Sequence, residues 1–96
     1  MTKADVINEI VHKTGIDKAD VDATIEAFVV IVKNSVADGQ TINIRGFGSF
    51  GTKKRARKVA RNISKNTALI VEEHYIPIFK PSKFFVEKIK KSNKLG

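Results

Sequence analysis

The stretch of sequence that decides the fold runs from Gly46 to Arg61 and reads GFGSFGTKKRARKVAR. Its two phenylalanines stand between glycines, which predicts a tight turn with close backbone approach and inward-facing rings. A cationic run with strand-compatible residues follows at once. This order predicts a small sheet that continues into a projecting basic ribbon. Such a ribbon has little to bury, so we expect it to become ordered on a ligand.

The neighbouring segments complete the sheet. Residues 41–45 alternate apolar and polar side chains, as a half-buried strand does. Residues 69–76 supply the returning strand of the ribbon, and the mostly polar residues 62–67 predict the turn at its tip. Pro77 and Pro81 bracket an extended segment beyond it.

Two helices are predicted before the sheet. Thr2, followed three residues later by Asp5, is the expected N-cap of the first helix, which Gly15 ends. Asp17 is the expected N-cap of the second helix, whose apolar residues recur every three or four positions until Gly39. The short linker between them predicts a helical hairpin.

The predicted fold class is α+β, with a two-helix hairpin, an antiparallel sheet bearing a ribbon arm, and a last helix. That helix follows a cap at Ser82 and carries Phe84, Phe85 and Ile89. One domain is expected over residues 1–96, with a helical base at about 2–38, sheet and arm at about 41–80, the arm itself at about 53–76, and the C-terminal helix at about 83–91. A chain this short buries a modest core, which favours a partner subunit.

The charge of the chain is unevenly distributed, although its net value is +8. Residues 1–45 hold 5 Lys and Arg against 7 Asp and Glu, a net of −2, whereas residues 46–96 hold 13 against 3, a net of +10. This asymmetry indicates a polyanion that the second half of the chain reaches. A soluble basic surface without a partner is the alternative.

Seven cations fall within thirteen residues of the ribbon, and no acid occurs from residue 39 to residue 71. On an extended strand, Lys53, Arg55, Arg57 and Arg61 would share one side, and Lys54 and Lys58 the other; the seventh cation is Lys65. Like charges on one strand repel, so a fold seldom needs this pattern. A ribbon fits a DNA groove, and arginine suits phosphates and the minor groove. The alternative is a solvated basic edge strand that resists aggregation.

The apolar residues of the arm and sheet each allow two interpretations of their role. Ile63, beside Asn62 at the predicted tip, either folds back on the ribbon or inserts between base pairs as a wedge that kinks the duplex. The phenylalanines are expected to form core rather than platforms for single-stranded bases, because they flank turns or lie at helical spacing. They are Phe47, Phe50, Phe79, Phe84 and Phe85.

Several classes of function are not expected. The chain has no cysteine, and His12 and His74 are far apart in sequence, which argues against a metal site. Glu72 and Glu73 would point to opposite faces of a strand, a poor arrangement for acid–base catalysis. The Gly46–Gly48 run lacks the helix of a dinucleotide loop. We expect no enzyme, cofactor or small-molecule substrate, no membrane span or signal peptide, and a soluble intracellular protein.

A set of residues at fixed spacing runs from the glycine–phenylalanine turn into the last helix. It comprises Gly46-Phe47-Gly48-Ser49-Phe50, Arg55, Arg61-Asn62, Pro77, Phe79-Lys80-Pro81 and Lys83. Together with the two-helix start, this set resembles the bacterial histone-like HU/IHF family over nearly the whole chain.

The resemblance implies an intertwined dimer with a helical base, a saddle of antiparallel strands, and two β arms that reach around DNA in the minor groove. It implies a dimer core that contains Phe28, Phe47, Phe50 and Phe79. It implies DNA contacts by Arg55, Arg57, Lys58 and Arg61 on the arm and by Lys3, Lys80 and Lys83 on the body. With the other cations of the cluster and the tip residues, the expected DNA-contacting set is Lys3, Lys53, Lys54, Arg55, Arg57, Lys58, Arg61, Asn62, Ile63, Lys65, Lys80 and Lys83. Lys83 also lies near a helix start, where backbone N–H groups can hold a phosphate.

The sequence departs from the family pattern at the arm tip. The family usually has a proline after Asn62, and that proline is the intercalating wedge, whereas this chain has Ile63, another side chain of the wedge type. Ala60 and Asn66 replace the usual tip glycines, and Ser82 stands where glycine is common.

The predicted function is that of an architectural, nucleoid-associated protein of the bacterial cytoplasm. It would bind double-stranded DNA mainly through phosphates and the minor groove, and bend or compact it with little sequence specificity. A homodimer is favoured, and a heterodimer with a paralogue is the alternative. The alternative function is an RNA-binding or ribosome-associated module. A basic membrane-surface or scaffolding module would instead use a basic amphipathic helix.

Overall fold

The computed structural model describes residues 1–62 and 67–95. Within them the chain forms, in order, α1 (Lys3–Thr14), α2 (Lys18–Ala37), β1 (Ile42–Ile44), β2 (Gly48–Arg55), β3 (Lys58–Asn62), β4 (Thr67–Val71), β5 (His74–Pro81) and α3 (Lys83–Lys90). This order confirms the predicted α+β class. The chain divides into two compact units, residues 1–35 and 36–96. A single domain over residues 1–96 stays a prediction.

The first unit begins and breaks where the sequence signals predict. The Thr2 hydroxyl accepts from the Asp5 N–H at 3.3 Å, and the Asp5 carboxylate accepts from the Thr2 N–H at 2.8 Å, which completes a capping box. Gly15 ends α1 in the left-handed conformation, with φ 75°. α2 begins directly after Asp17, whose carbonyl accepts from the Val21 N–H at 3.0 Å.

The first unit leaves much of its apolar surface open. Ile7 and Val21 are its buried apolar side chains among the residues described. Four consecutive residues of α2 are exposed by 41–60%, namely Phe28, Val29, Val30 and Ile31. A helix that is apolar around its circumference is normally buried. This part of α2 therefore indicates a surface that another subunit covers.

The second unit is built on an antiparallel sheet in the order β1-β2-β5. β2 and β5 pair over their full lengths, from Gly48 opposite Pro81 to Arg55 opposite His74. The turn between β1 and β2 is tight, as predicted, because the Phe47 N–H donates to the Ile44 carbonyl at 3.0 Å. Pro77 and Pro81 are accommodated because β5 is the edge strand of this sheet.

Gly48 is the position where the sheet requires a glycine. A Cβ placed there would lie 2.4 Å from the Lys80 carbonyl oxygen and 2.6 Å from Cζ of Phe79. Both distances are far below van der Waals contact, and the first partner is backbone that cannot swing aside. The missing side chain therefore lets the Phe79 ring lie directly on β2.

The arm is a second ladder, in which β3 pairs with β4 from Lys58 opposite Val71 to Asn62 opposite Thr67. Two sequence predictions need correction here. Asn62 and Thr67 belong to this ladder rather than to the tip turn. The two arm strands are also not continuous, because Ala56-Arg57 and Glu72-Glu73 belong to neither ladder.

The four residues Ala56, Arg57, Glu72 and Glu73 are called the joint below. Residue 55 faces 74 on one side of the joint and residue 58 faces 71 on the other, so the same register continues through it. Alanine and glutamate, which make up three of the four positions, are depleted in strands. Weak strand preference on both sides of the ribbon accounts for the interruption.

α3 begins where predicted and corrects one expectation about its side chains. The Ser82 hydroxyl accepts from the Phe85 N–H at 3.2 Å, which confirms the predicted cap. Phe84, expected in the core, is 75% exposed. Successive residues of a helix are about 100° apart, so Phe84 points away when Phe85 and Val86 face the sheet.

Candidate nucleic-acid interface

The base of the arm carries three exposed cations at the end of β2. Lys53 and Arg55 lie on one face of the strand and Lys54 on the other, because side chains alternate along it. Pairing of the strand fixes the backbone and Cβ positions of these residues, while their charged groups remain exposed to solvent. Cations held this way can meet phosphates on both sides of the ribbon.

The remaining arm cations are spread over the joint and β3. Arg57 lies in the joint and Lys58 begins β3, and both side chains are exposed. The backbones of Arg61 and Asn62 lie in β3. Ile63 and Lys65, both predicted to contact DNA, lie outside the described residues. The predicted sharing of faces among these residues across the joint stays a prediction.

Two of the three predicted DNA-contacting lysines of the body lie near the start of the last helix. Lys80 is near the end of β5 and Lys83 opens α3, with both side chains exposed. The intervening Ser82 N–H donates to the Phe47 carbonyl at 2.8 Å, which ties this corner to the glycine–phenylalanine turn. The structure thus brings Lys80 and Lys83 to one end of the sheet.

Lys3, in the first unit, is engaged by acids of α2. Its ammonium lies 3.7 Å from the Asp22 carboxylate and also contacts the carboxylate of Glu26. All three side chains are about half exposed. A DNA contact by Lys3 stays a proposal.

Four phenylalanine rings form a cluster in the second unit. The Phe79 ring lies 5.0 Å from Phe47 and 5.0 Å from Phe50, and the Phe47 ring stacks on Phe85 at 5.5 Å. These centroid distances are typical of favourable aromatic pairs. Such mutual contact supports the prediction that these rings are core rather than base-stacking platforms.

An open apolar groove of about 430 Å³ adjoins this ring cluster. It is lined by Phe79, Pro81, Phe85, Val86, Ile89 and Lys90. Together with Phe47, which is 42% exposed, it leaves apolar surface uncovered in the second unit as well. Each unit therefore presents a surface suited to a second subunit. The assignment of Phe28, in α2, to the same dimer core stays a proposal.

Sequence reasoning missed the electrostatic role of the two arm glutamates. The Lys54 ammonium lies 3.3 Å from the Glu73 carboxylate, and Arg57 Nε lies 3.7 Å from that of Glu72. The signal for these pairs was present, since folding the ribbon about the middle of the predicted 62–67 tip places residue 57 opposite residue 72.

The part of the chain that the structure describes offers neither a metal site nor a membrane-spanning helix. No group of three or more His, Cys, Asp and Glu side chains there could hold a metal ion. No helix among residues 1–62 and 67–95 is both long and apolar enough to cross a membrane.

A basic two-stranded arm on a small sheet, with open apolar surfaces for a second subunit, defines the class of β-arm DNA-binding proteins. The chain matches the family model described as bacterial DNA-binding protein over residues 1–90. It therefore belongs to this family, which includes HU and integration host factor. The resemblance inferred from the sequence is confirmed, and the RNA-binding alternative is not favoured.

Individual relatives align with this chain over nearly its full length. Integration host factor subunit beta from Marinobacter nauticus is 36% identical over 97 aligned positions, covering 100% of this chain and 99% of the relative. DNA-binding protein HU from Thermus thermophilus is 31% identical, covering 95% and 94%. The structure of Anabaena HU in a cocrystal with DNA has a TM-score of 0.90 at 26% identity, covering 96% of this chain and 100% of that one.

Proposed function

We propose that two copies of this chain form an intertwined dimer whose arms enter the minor groove of duplex DNA and bend it. The observation that carries this proposal is the arm itself. Over its base, joint and first β3 residue it holds five exposed cations, on a fold that matches a DNA-bound HU with a TM-score of 0.90. They are Lys53, Lys54, Arg55, Arg57 and Lys58.

Binding through these cations depends on phosphates more than on base edges. Contacts to the backbone position a protein without reading sequence, so site preference comes from how readily a DNA segment deforms. The protein acts without catalysis, in the bacterial cytoplasm at the nucleoid. Lys80, Lys83 and Lys3 extend the contact from the arm to the body.

The first test is a titration of a short duplex labelled at both ends, at several salt concentrations. If each subunit neutralises roughly four phosphates, log K plotted against log salt will have a slope of about −7 for the dimer. Energy transfer between the labels will rise as the ends approach. A slope near zero would contradict phosphate-based binding, and unchanged energy transfer would make the protein a coating factor rather than a bender.

The wedge role proposed for Ile63 is tested on the same duplex. Changing Ile63→Ser removes the apolar side chain that would separate two base pairs, while leaving the arm cations in place. We expect the end-to-end distance of the bound DNA to increase markedly and the affinity to change little. An equal bend before and after the substitution would show that Ile63 is not a wedge.

The composition of the dimer is settled with the chain purified alone. We favour a homodimer because the exposed apolar surfaces of one copy suit those of another. A heterodimer is the second candidate, since one similar protein is named as a beta subunit. Sedimentation of the purified chain at twice its monomer mass supports the homodimer, and a monomer in solution supports pairing with a paralogue.

A further inference from the structure

Two ion pairs lie at the joint of the arm. Arg57 is directly opposite Glu72 in the register, and Lys54 is diagonal to Glu73, two positions along the partner strand. Their charged atoms are 3.7 and 3.3 Å apart, and all four side chains are more than half exposed. Ion pairs this exposed contribute little stability and open easily, so they are poor structural supports.

These pairs involve residues that the proposed function assigns to DNA. Lys54 and Arg57 are both in the DNA-contacting set. Glu72 and Glu73 are the two acids between residue 39 and residue 86. The acids of the sheet and arm therefore sit against two of the cations that must reach phosphates. A carboxylate and a phosphate compete for the same cation.

We propose that Glu72 and Glu73 set the affinity of the arm for DNA by holding Arg57 and Lys54 until phosphates displace them. This inference rests on the proposed function. In the bound state each carboxylate also faces a negatively charged backbone and opposes the contact. The flanking ladders, which end at the pairs Arg55–His74 and Lys58–Val71, do not include the joint. Side chains of the joint can therefore part while both ladders stay intact.

The proposal is tested with Glu72→Gln and Glu73→Gln, each of which removes a charge and keeps the side-chain shape. Each substitution is expected to raise duplex affinity about two- to fivefold for each arm, the range that an exposed ion pair spans. The salt dependence will also become steeper, by less than the roughly 0.9 that one phosphate contact contributes, for each arm. In the unaltered protein, Arg57 or Lys54 leaves a glutamate for a phosphate, and the freed carboxylate attracts cations from solution. This uptake partly offsets the counterions that the DNA releases. In the variant the neutral glutamine takes up no cation, so the release is not offset.

The matched control is Glu9→Gln, an exposed position on α1 with the same change in charge. It measures how much duplex affinity rises when the net charge becomes more positive without any change at the joint. A second control repeats Glu73→Gln in a Lys54→Gln background. If Glu73 acts through Lys54, its substitution there will gain no more than the Glu9 control. Thermal melting of every variant checks that the fold is unchanged.

The possible outcomes separate this inference from the proposed function. Gains at residues 72 and 73 that exceed the Glu9 control, with steeper salt dependence, support the competition. Gains equal to the control overturn it and leave DNA binding intact. If the unaltered protein shows no salt-sensitive binding to the duplex, the proposed function itself is wrong.

Discussion

Replacing Lys53 and Arg55 with alanine will lower the affinity for duplex DNA by about a thousandfold at roughly 0.1 M salt. A dimer loses four charges on its two arms. Each phosphate contact contributes about 0.9 to the salt slope, so the slope will become shallower by about 3 to 4. Both side chains are exposed and lie on one face of β2, so the loss should fall on binding rather than folding.

The control for this double variant is Lys13→Ala with Lys33→Ala. These lysines are exposed on α1 and α2 and give the same change in net charge. Alanine suits a helix, so the control should fold normally. Both proteins are titrated onto the same duplex across a salt series. A loss for the arm variant no larger than that of the control would remove the arm from the binding mechanism.

Replacing Phe79 with alanine is expected to lower the free energy of unfolding by roughly 2–3 kcal/mol per subunit, less than the roughly 3–5 kcal/mol of a fully buried phenylalanine, because its side chain is 36% exposed in the single chain. The Phe79 ring contacts three other rings, those of Phe47, Phe50 and Phe85, and it lies against the backbone at Gly48. Its removal takes away these ring contacts and widens the open groove that Phe79 lines. Small domains are stable by only about 5–15 kcal/mol, so this loss is a large share of the total.

Phe84→Ala is the matched control, because it removes the same side chain from a position that is 75% exposed. Its effect should stay within about 0.5 kcal/mol, as for most surface substitutions. Denaturant unfolding followed by circular dichroism measures both variants under one set of conditions. Equal losses for the two phenylalanines would contradict the assignment of the ring cluster as core.

Local signals in the sequence predicted the elements that depend on local chemistry. The capping box at Thr2, the glycine stop at Gly15 and the cap at Ser82 each rest on hydrogen bonds within a few residues, and all three are present. The turn around Gly46 was predicted for the same reason. The basic arm was predicted from a cationic run between a glycine-rich turn and a polar turn. Like charges along one strand repel, so such a run seldom serves the fold alone.

The features that the sequence did not predict depend on contacts between distant segments. The joint forms where residues of low strand propensity face each other on the two arm strands. Only the register that sets residue 57 opposite residue 72 shows that they do. Phe84 was misplaced because helical periodicity gives the spacing of a stripe but not which of two adjacent phenylalanines faces the sheet.

The sparse burial of the chain has a consequence for the amount of this protein. Ile7, Val21 and Val36 are the buried apolar residues within the part described, while α2 and the groove beside Phe79 stay open. A fold completed by association gains stability with concentration, by mass action. Newly made chains below the level needed for pairing would therefore be exposed to proteases, whereas paired chains would persist. The chains that accumulate would then be mainly those that have found a partner subunit.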